Sequence, residues 1–199
     1  MIRPTRRLLV LVLLPLVVLA GCAQAPPLPR YPEIRFDHLE PITLAASELL
    51  VESTFEPSFE PPHVEHLFPQ PPEKVARTWA RDRLKPDGEG DGFIRVLIRD
   101  ASAVEEVLDR SSGLKGALTT EQSERYTVTL DLAVQILDSR RIMRAEATAR
   151  GSRTRTVAED ASLNEREQVW FEMTETLIQA LNKDLEAAIS THLAPYRRQ

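Results

Sequence analysis

Residues 126–137 read YTVTLDLAVQIL, and this stretch decides the fold. Apolar side chains fill every second position, namely Val128, Leu130, Leu132, Val134 and Ile136. The residues between them are mostly polar or small, namely Thr129, Asp131, Ala133 and Gln135. A period of two is the mark of a strand that buries one face, so the stretch predicts a half-buried β-strand.

The chain after this stretch predicts a hairpin and then a helix. A turn at 138–141 leads into a second predicted strand, 142–157, in which Met143, Ala145, Ala147 and Ala149 share one side. A row of small residues predicts a helix packed close against that side. Ser162 and Glu165 match a capping box, and spaced apolar residues follow, so we expect a long helix over 163–193.

The chain before this stretch is more irregular. The apolar runs 34–39 (IRFDHL) and 48–55 (ELLVESTF) predict two further strands. Residues 56–72 contain six prolines and predict an extended loop, because proline cannot donate to a sheet. We expect three aromatic side chains to fix this loop to the domain surface, namely Phe55, Phe59 and Phe68.

A first helix and two short strands are predicted between that loop and the central stretch. Pro71-Pro72-Glu73 suits a helix start, and the residues expected on its buried face are Val75, Ala76, Trp79 and Ala80. Residues 93–98 (FIRVLI) predict a strand, and 110–125 predicts a polar loop. Residues 100–110 either extend that strand or form a helix, and we favour the strand. The predicted fold class is therefore α+β, a two-layer antiparallel sheet with two helices packed on one face and a long C-terminal helix.

The N-terminus has the layout of a secretory signal. Three arginines (Arg3, Arg6 and Arg7) precede an apolar run at 8–18, which is shorter than the ~20 residues of a membrane-spanning helix. Leu19-Ala20-Gly21-Cys22 resembles the lipobox of bacterial lipoproteins. That resemblance implies that the Cys22 thiol carries a diacylglyceryl group, that the signal is cut before Cys22, and that the new amino terminus is acylated, as with palmitate. The alternative is an ordinary signal peptide with an incidental cysteine.

This interpretation predicts three segments. Residues 1–21 are the lipoprotein signal peptide, 22–32 are the lipidated cysteine and a proline-rich tether, and 33–195 are a single periplasm-facing α+β domain. Several acyl chains give stable anchoring where one chain is marginal, so we expect a permanent membrane anchor. Ala23 after the cysteine favours the outer over the inner membrane in the lipoprotein resemblance.

Composition limits the function classes. The chain has 25 Lys+Arg and 30 Asp+Glu. Removal of the signal takes away three arginines, so the formal net charge of the mature chain is 22 − 30 = −8. An acidic domain argues against nucleic acid as a partner. Cys22 is the only cysteine, so the domain has no internal disulfide.

No catalytic, metal or cofactor motif is predicted. His63 and His66 lie among prolines, where they lack the helical i, i+4 spacing of a metal pair. Residues 87–92 (DGEGDG) begin like a calcium loop, but Ile98 stands where the bidentate glutamate is needed, so we interpret them as a turn. We expect the aromatic pair Trp170-Phe171 to belong to the core.

The arginines after the central stretch are the candidate contact residues. Six arginines fall at 140–155, and those that we expect to contact a partner or a phosphate are Arg144, Arg150, Arg153 and Arg155. If no bulge intervenes, period two places Arg144 and Arg150 on one face, with Arg153 and Arg155 on the other. Arginine suits phosphates and carboxylates. The alternative is a solvated face on which they pair with Asp131, Glu146 and neighbouring acids.

From Tyr126 onward, the strand, turn, strand and long helix resemble the C-terminal half of LPS-assembly lipoproteins and of auxiliary lipoproteins of ABC-type lipid transporters. The resemblance implies a non-catalytic accessory subunit of an envelope complex, serving lipid transport or outer-membrane assembly, with an envelope protein as partner. No individual functional residue transfers from it. The competing hypothesis is a lipid-binding carrier or an envelope hydrolase, which a deep apolar pocket would favour.

Overall fold

The structure is a computed structural model that describes residues 31–108 and 122–198. The strands are β1 (Ile42–Leu44), β2 (Glu48–Ser53), β3 (Leu84–Pro86), β4 (Phe93–Asp100), β5 (Ala103–Val107), β6 (Gln122–Leu137) and β7 (Met143–Ala158). The helices are α1 (Pro72–Arg83) and α2 (Leu163–His192), with short 3-10 turns at Glu65–Leu67 and Ala194–Tyr196. None of the helices in these ranges is long and apolar enough to cross a membrane.

The main sheet is organised around β6. Strand β7 pairs antiparallel with β6 along nearly its whole length, from Gln122↔Ala158 to Leu137↔Met143. Strands β4 and β5 pair antiparallel with successive parts of β6, so they follow one another along its other edge. Strand β2 continues the sheet beyond β4. The predicted α+β class with a long C-terminal helix is confirmed.

Two strand pairs depart from the predicted antiparallel sheet. Strand β2 runs parallel to β4, and the separate pair β1 and β3 is also parallel. Parallel neighbours need a long crossover, and the segment between β2 and β4, which contains α1, provides one. Periodicity within a strand carries no information on its partner's direction, so the sequence did not predict this.

The helices cover one face of the sheet. The alternating residues of β6 from Val128 to Ile136 are buried, as are Ile94, Val96 and Ile98 of β4. The predicted buried face of α1 is confirmed. The α2 capping box at Ser162 and Glu165 is present, and the helix ends one residue before the predicted 193. Trp170 is buried, as expected of a core residue.

Helix α2 lies very close to β7, as the alanine row predicts. Ala147 and Ala149 are buried under it, and a Cβ placed on Gly151 would lie 3.1 Å from the Leu177 side chain. Trp170 lies two helical turns before Leu177 in α2, and it packs edge-on against Tyr126 of β6, with ring centroids 5.3 Å apart. The helix therefore passes from β7 towards β6 as it is followed back to its N-terminus.

Three local predictions are wrong in whole or in part. Residues 34–39 form no strand, because the backbone N–H of Phe36 and the guanidinium of Arg35 bind Asp82 of α1 instead of a neighbouring strand. Phe59 does not fix the proline-rich loop, since its side chain is 65% exposed. Phe68 does so by stacking on Trp170. Residues 122–125 belong to β6, and the rest of the predicted 110–125 loop lies outside the described residues.

Candidate partner-binding surface

The four candidate arginines all lie on β7, which is an edge strand. It pairs with β6 on one side, and no strand among residues 31–108 and 122–198 pairs with its other side. Its register with β6 runs without a break from Ala145 to Val157. An unbroken strand keeps alternate side chains on opposite faces. The structure therefore places Arg150 on one face and Arg153 and Arg155 on the other, as the period of two predicts, whereas a register shift interrupts the pairing at Arg144.

Arg150 lies on the face opposite the helices, and both Arg150 and Arg144 have acidic neighbours. The Arg144 Nε donates to Asp138 Oδ2 at 3.1 Å. Arg150 lies 3.6 Å from an Asp100 oxygen and 3.9 Å from an Asp131 oxygen. The expectation that Asp131 pairs with this cluster is thus confirmed for Arg150. These two arginines contribute to a neutralised sheet surface.

Asp138 organises the turn that starts β7. Its Oδ1 accepts the backbone N–H groups of Arg140 and Ile142, and its Oδ2 accepts Arg144. The Ile142 N–H, followed by the Arg144 guanidinium, lowers the pKa of this carboxyl group. The Arg144 charge therefore stabilises the hairpin turn.

The other expected acidic partner, Glu146, has neighbours on β4 and β6. It accepts hydrogen bonds from Arg99 and from the Gln135 amide, and the Gln135 Oε1 accepts from Arg95 Nε at 2.7 Å. Glu146 therefore joins three strands across the open face of the sheet instead of pairing with the β7 arginines.

Arg153 and Arg155 lie on the helix-bearing face, yet both are exposed. Their cross-strand neighbours on β6 are Val128 and Tyr126, which are buried. Near Tyr126, α2 lies over β6 and not over β7. The helix therefore leaves this part of the edge strand β7 uncovered. Within the part of the chain that the structure describes, neither guanidinium has an ion pair. We call Arg153, Arg155 and the outer backbone of β7 the β7 arginine edge.

The metal hypothesis for His63 and His66 gains no support, since the described residues contain no cluster of three or more His, Cys, Asp or Glu suited to a metal. His63 instead bridges the proline-rich loop to Val104 of β5. Between these histidines lies Glu65, a buried carboxylate that sequence reasoning missed. Its only sequence signal was an acid inside an apolar, proline-rich stretch.

The competing hypothesis of a lipid carrier is judged by the grooves on the surface of the domain. One of about 570 Å³ lies between residues 32–39 and the outer side of α2, and Glu175, Gln179 and Lys183 contribute to its wall. It is not the deep apolar pocket that a lipid carrier requires. Cys22 and the predicted signal, 1–21, lie outside the described residues, so lipidation stays a prediction.

Comparison with known proteins gives fold-level similarity only. No family model matches the chain, and no curated protein matches it. The rare lipoprotein B structure from Shewanella oneidensis is 13% identical, with 72% of this chain and 95% of that chain covered and a TM-score of 0.38. A minor lipoprotein from Acinetobacter baumannii is 15% identical, with 78% of this chain and 98% of that chain covered and a TM-score of 0.40.

A third similar structure is protein XCC0632 of Xanthomonas campestris, assigned to DUF330. It is 12% identical, with 80% of this chain and 92% of that chain covered and a TM-score of 0.28. Similarity this low supports no argument about function. The first two solved structures are bacterial lipoproteins by name.

Proposed function

We propose that this protein is a lipid-anchored, periplasm-facing, non-catalytic accessory subunit of a bacterial envelope complex, and that it binds an acidic protein partner through the β7 arginine edge. The complex would serve lipid transport or outer-membrane assembly, with the anchor at Cys22 in the outer membrane. The observation that carries the proposal is the exposure of Arg153 and Arg155, without an ion pair among the described residues, on an edge strand of an acidic protein.

The backbone of β7 supports binding to an extended segment. The strand is 16 residues long, and an edge of that length presents a row of N–H and C=O groups able to pair with another strand. Proline is absent from it, and no bulge interrupts its register between Ala145 and Val157. The outer edge of β7 therefore has the geometry for strand addition.

The charge of β7 selects the partner. Between residues 140 and 157 there are six arginines and one glutamate. A second copy of this chain would bring another basic row against the first, which like charges disfavour. An extended segment rich in Asp or Glu would instead accept paired N–H bonds from the guanidinium groups.

The test is crosslinking in cells of the lipidated full-length protein, followed by mass spectrometry of the proteins captured. The variant is Arg153→Glu with Arg155→Glu. Its matched control is Lys74→Glu with Arg81→Glu, which makes the same charge change at two exposed positions of α1. We expect the β7 variant to lose the envelope partner and the control to retain it, with both folded by circular dichroism.

Retention of the same partner by the β7 variant would remove the arginine edge from the proposal. Recovery of bound lipid and no protein would favour a carrier over an accessory subunit. The anchor is tested separately by Cys22→Ser, which we expect to move the protein out of the membrane fraction. An ordinary signal peptide with an incidental cysteine would leave fractionation unchanged.

A further inference from the structure

A small cavity with a mostly apolar wall lies between the end of β2, the proline-rich loop and the start of α1. Its volume is about 260 Å³, and Phe55, Phe59 and Pro72 contribute to its wall. Two of its polar residues, Glu65 and His66, come from the 3-10 turn within that loop. It lies apart from the β7 arginine edge, so it needs a separate explanation.

Glu65 is the unusual residue of this cavity. The residue is only 4% exposed, and its Oε2 accepts the backbone N–H of Ala103 at 3.2 Å. Its other oxygen, Oε1, is buried and has no hydrogen-bond donor among the described residues. The Nδ1 of His63 lies 3.8 Å from Oε2, too far for a hydrogen bond, and is also unpaired. A buried carboxylate oxygen without a donor is unfavourable, so this one has an unused capacity to bind a donor.

The rest of the cavity wall consists of apolar residues, His66 and a second acid. Glu73 also contributes to the wall, and its Oε1 binds Arg77, whose Nη2 lies 2.8 Å away. No Lys or Arg side chain lines the cavity. Aromatic rings such as those of Phe55 and Phe59 attract cations through their faces and also pack against aliphatic carbon. This combination suits a positive group carried on a short apolar stem.

Phe59 is placed to act as a movable cover. Its backbone has φ of 58°, in the left-handed region that a bulky residue rarely adopts. Its ring is 65% exposed and lies 5.4 Å from the exposed ring of His66, measured between centroids. Residues in sparsely populated backbone conformations are concentrated at ligand clamps. Because both rings are exposed, they can separate and open a path to Glu65.

We infer that this cavity binds a primary alkylammonium group. One ammonium N–H donates to Glu65 Oε1, and the alkyl stem packs against Phe55 and Phe59. Free amines and the side chain of lysine share this chemistry. The inference does not depend on the proposed accessory function, because it uses none of the β7 residues.

The test is an NMR titration of the full-length lipidated protein in detergent micelles, with carbon-13 in its phenylalanine rings. The chain has six phenylalanines, so the ring signals are few enough to assign. The probe is n-butylammonium chloride, and n-butanol is the neutral control of matched shape. We expect saturable shifts of the Phe55 and Phe59 signals with the ammonium, and binding of the alcohol at least about tenfold weaker, as loss of a charged hydrogen bond implies.

Two variants locate the site. Glu65→Gln removes the buried charge, and we expect it to weaken ammonium binding by at least about tenfold. Its matched control, Glu60→Gln, removes one exposed charge from the same loop, and we expect a change of less than about twofold. Phe59→Gly tolerates the left-handed backbone and removes the ring, and we expect binding about threefold weaker.

Three results would overturn the inference. The first is that butanol and butylammonium shift the ring signals equally. The second is that Glu65→Gln binds the ammonium with unchanged affinity. The third is that the signals of Phe55 and Phe59 do not shift at saturating butylammonium. If Glu65→Gln fails to fold, Phe59→Gly decides, because unchanged ammonium affinity in that folded variant would refute the assigned cavity.

Discussion

Asn182 of α2 is a buried acceptor shared by two donors of α1. Its Oδ1 accepts the Trp79 Nε1–H at 2.9 Å and the Arg83 Nε–H at 2.9 Å. The Arg83 side chain also binds the Glu40 carbonyl and Glu186. All three residues of this junction are buried, so it links the two helices beneath the surface.

We predict that Asn182→Ala destabilises the domain by about 3 kcal/mol. The substitution leaves two buried donors without their acceptor, and each such group costs about 1–3 kcal/mol. The lower half of that range applies because Arg83 keeps its bonds to Glu40 and Glu186. A change of about 3 kcal/mol lowers the melting temperature of a domain this size by about 6–12 °C.

The assay is urea unfolding, followed by circular dichroism, of Asn182→Ala, Trp79→Phe and the double variant. Trp79→Phe removes the indole donor, so we expect Asn182→Ala to cost about 1–2 kcal/mol less in that background. Gln179→Ala, an exposed substitution on the same helix, is the control and should change stability by less than about 0.5 kcal/mol. Additive effects of the two variants, within about 0.5 kcal/mol, would refute the shared-acceptor argument.

Three further predictions concern other contacts. Gly92→Ala places a Cβ 2.3 Å from the Leu137 carbonyl oxygen, so we expect a loss of about 1–3 kcal/mol in urea unfolding; unchanged stability would contradict this close approach. Ser162→Ala removes the N-cap of α2 and should cost about 1 kcal/mol by the same measurement, whereas a neutral effect would show that the cap is dispensable. Asp138 has a pKa lowered by the Ile142 N–H, so its contribution to stability is present above its unfolded pKa of about 3.9 and is lost as pH falls through its lower folded value. Acid titration of Asp138→Asn should therefore show a weaker loss of stability below about pH 4, and an identical acid profile would contradict it.

Local patterns predicted the elements whose burial is one-sided and regular. The alternation of Val128 to Ile136 identified β6 and its buried face, and the spacing of apolar residues identified both helices. The same reasoning failed at 34–39, where Ile34 and Phe36 are buried but the backbone pairs with Asp82 of α1. Apolar residues in an extended stretch report burial, and they do not report which group satisfies the backbone.

The candidate surface was only partly predictable. Period two placed Arg153 and Arg155 on the face opposite Arg150, as the register with β6 confirms, and a register shift interrupts this period at Arg144. Their exposure on the helix-bearing face depends on the path of α2, which covers Gly151 and then Tyr126. The angle between a helix and a sheet follows from packing of many side chains at once, so no local pattern reveals it.

The sequence by itself determined the alternating strand, the helix caps, the acidic charge and the expectation of a lipid anchor at Cys22, because each depends on neighbours within a few residues or on composition. Only the tertiary structure decided that β2 runs parallel to β4, that β7 is an edge strand, and that Glu65 lies buried beside Ala103. These outcomes join residues that are distant in the chain. Their free energies depend on which surfaces meet, and that is settled only when the whole core packs.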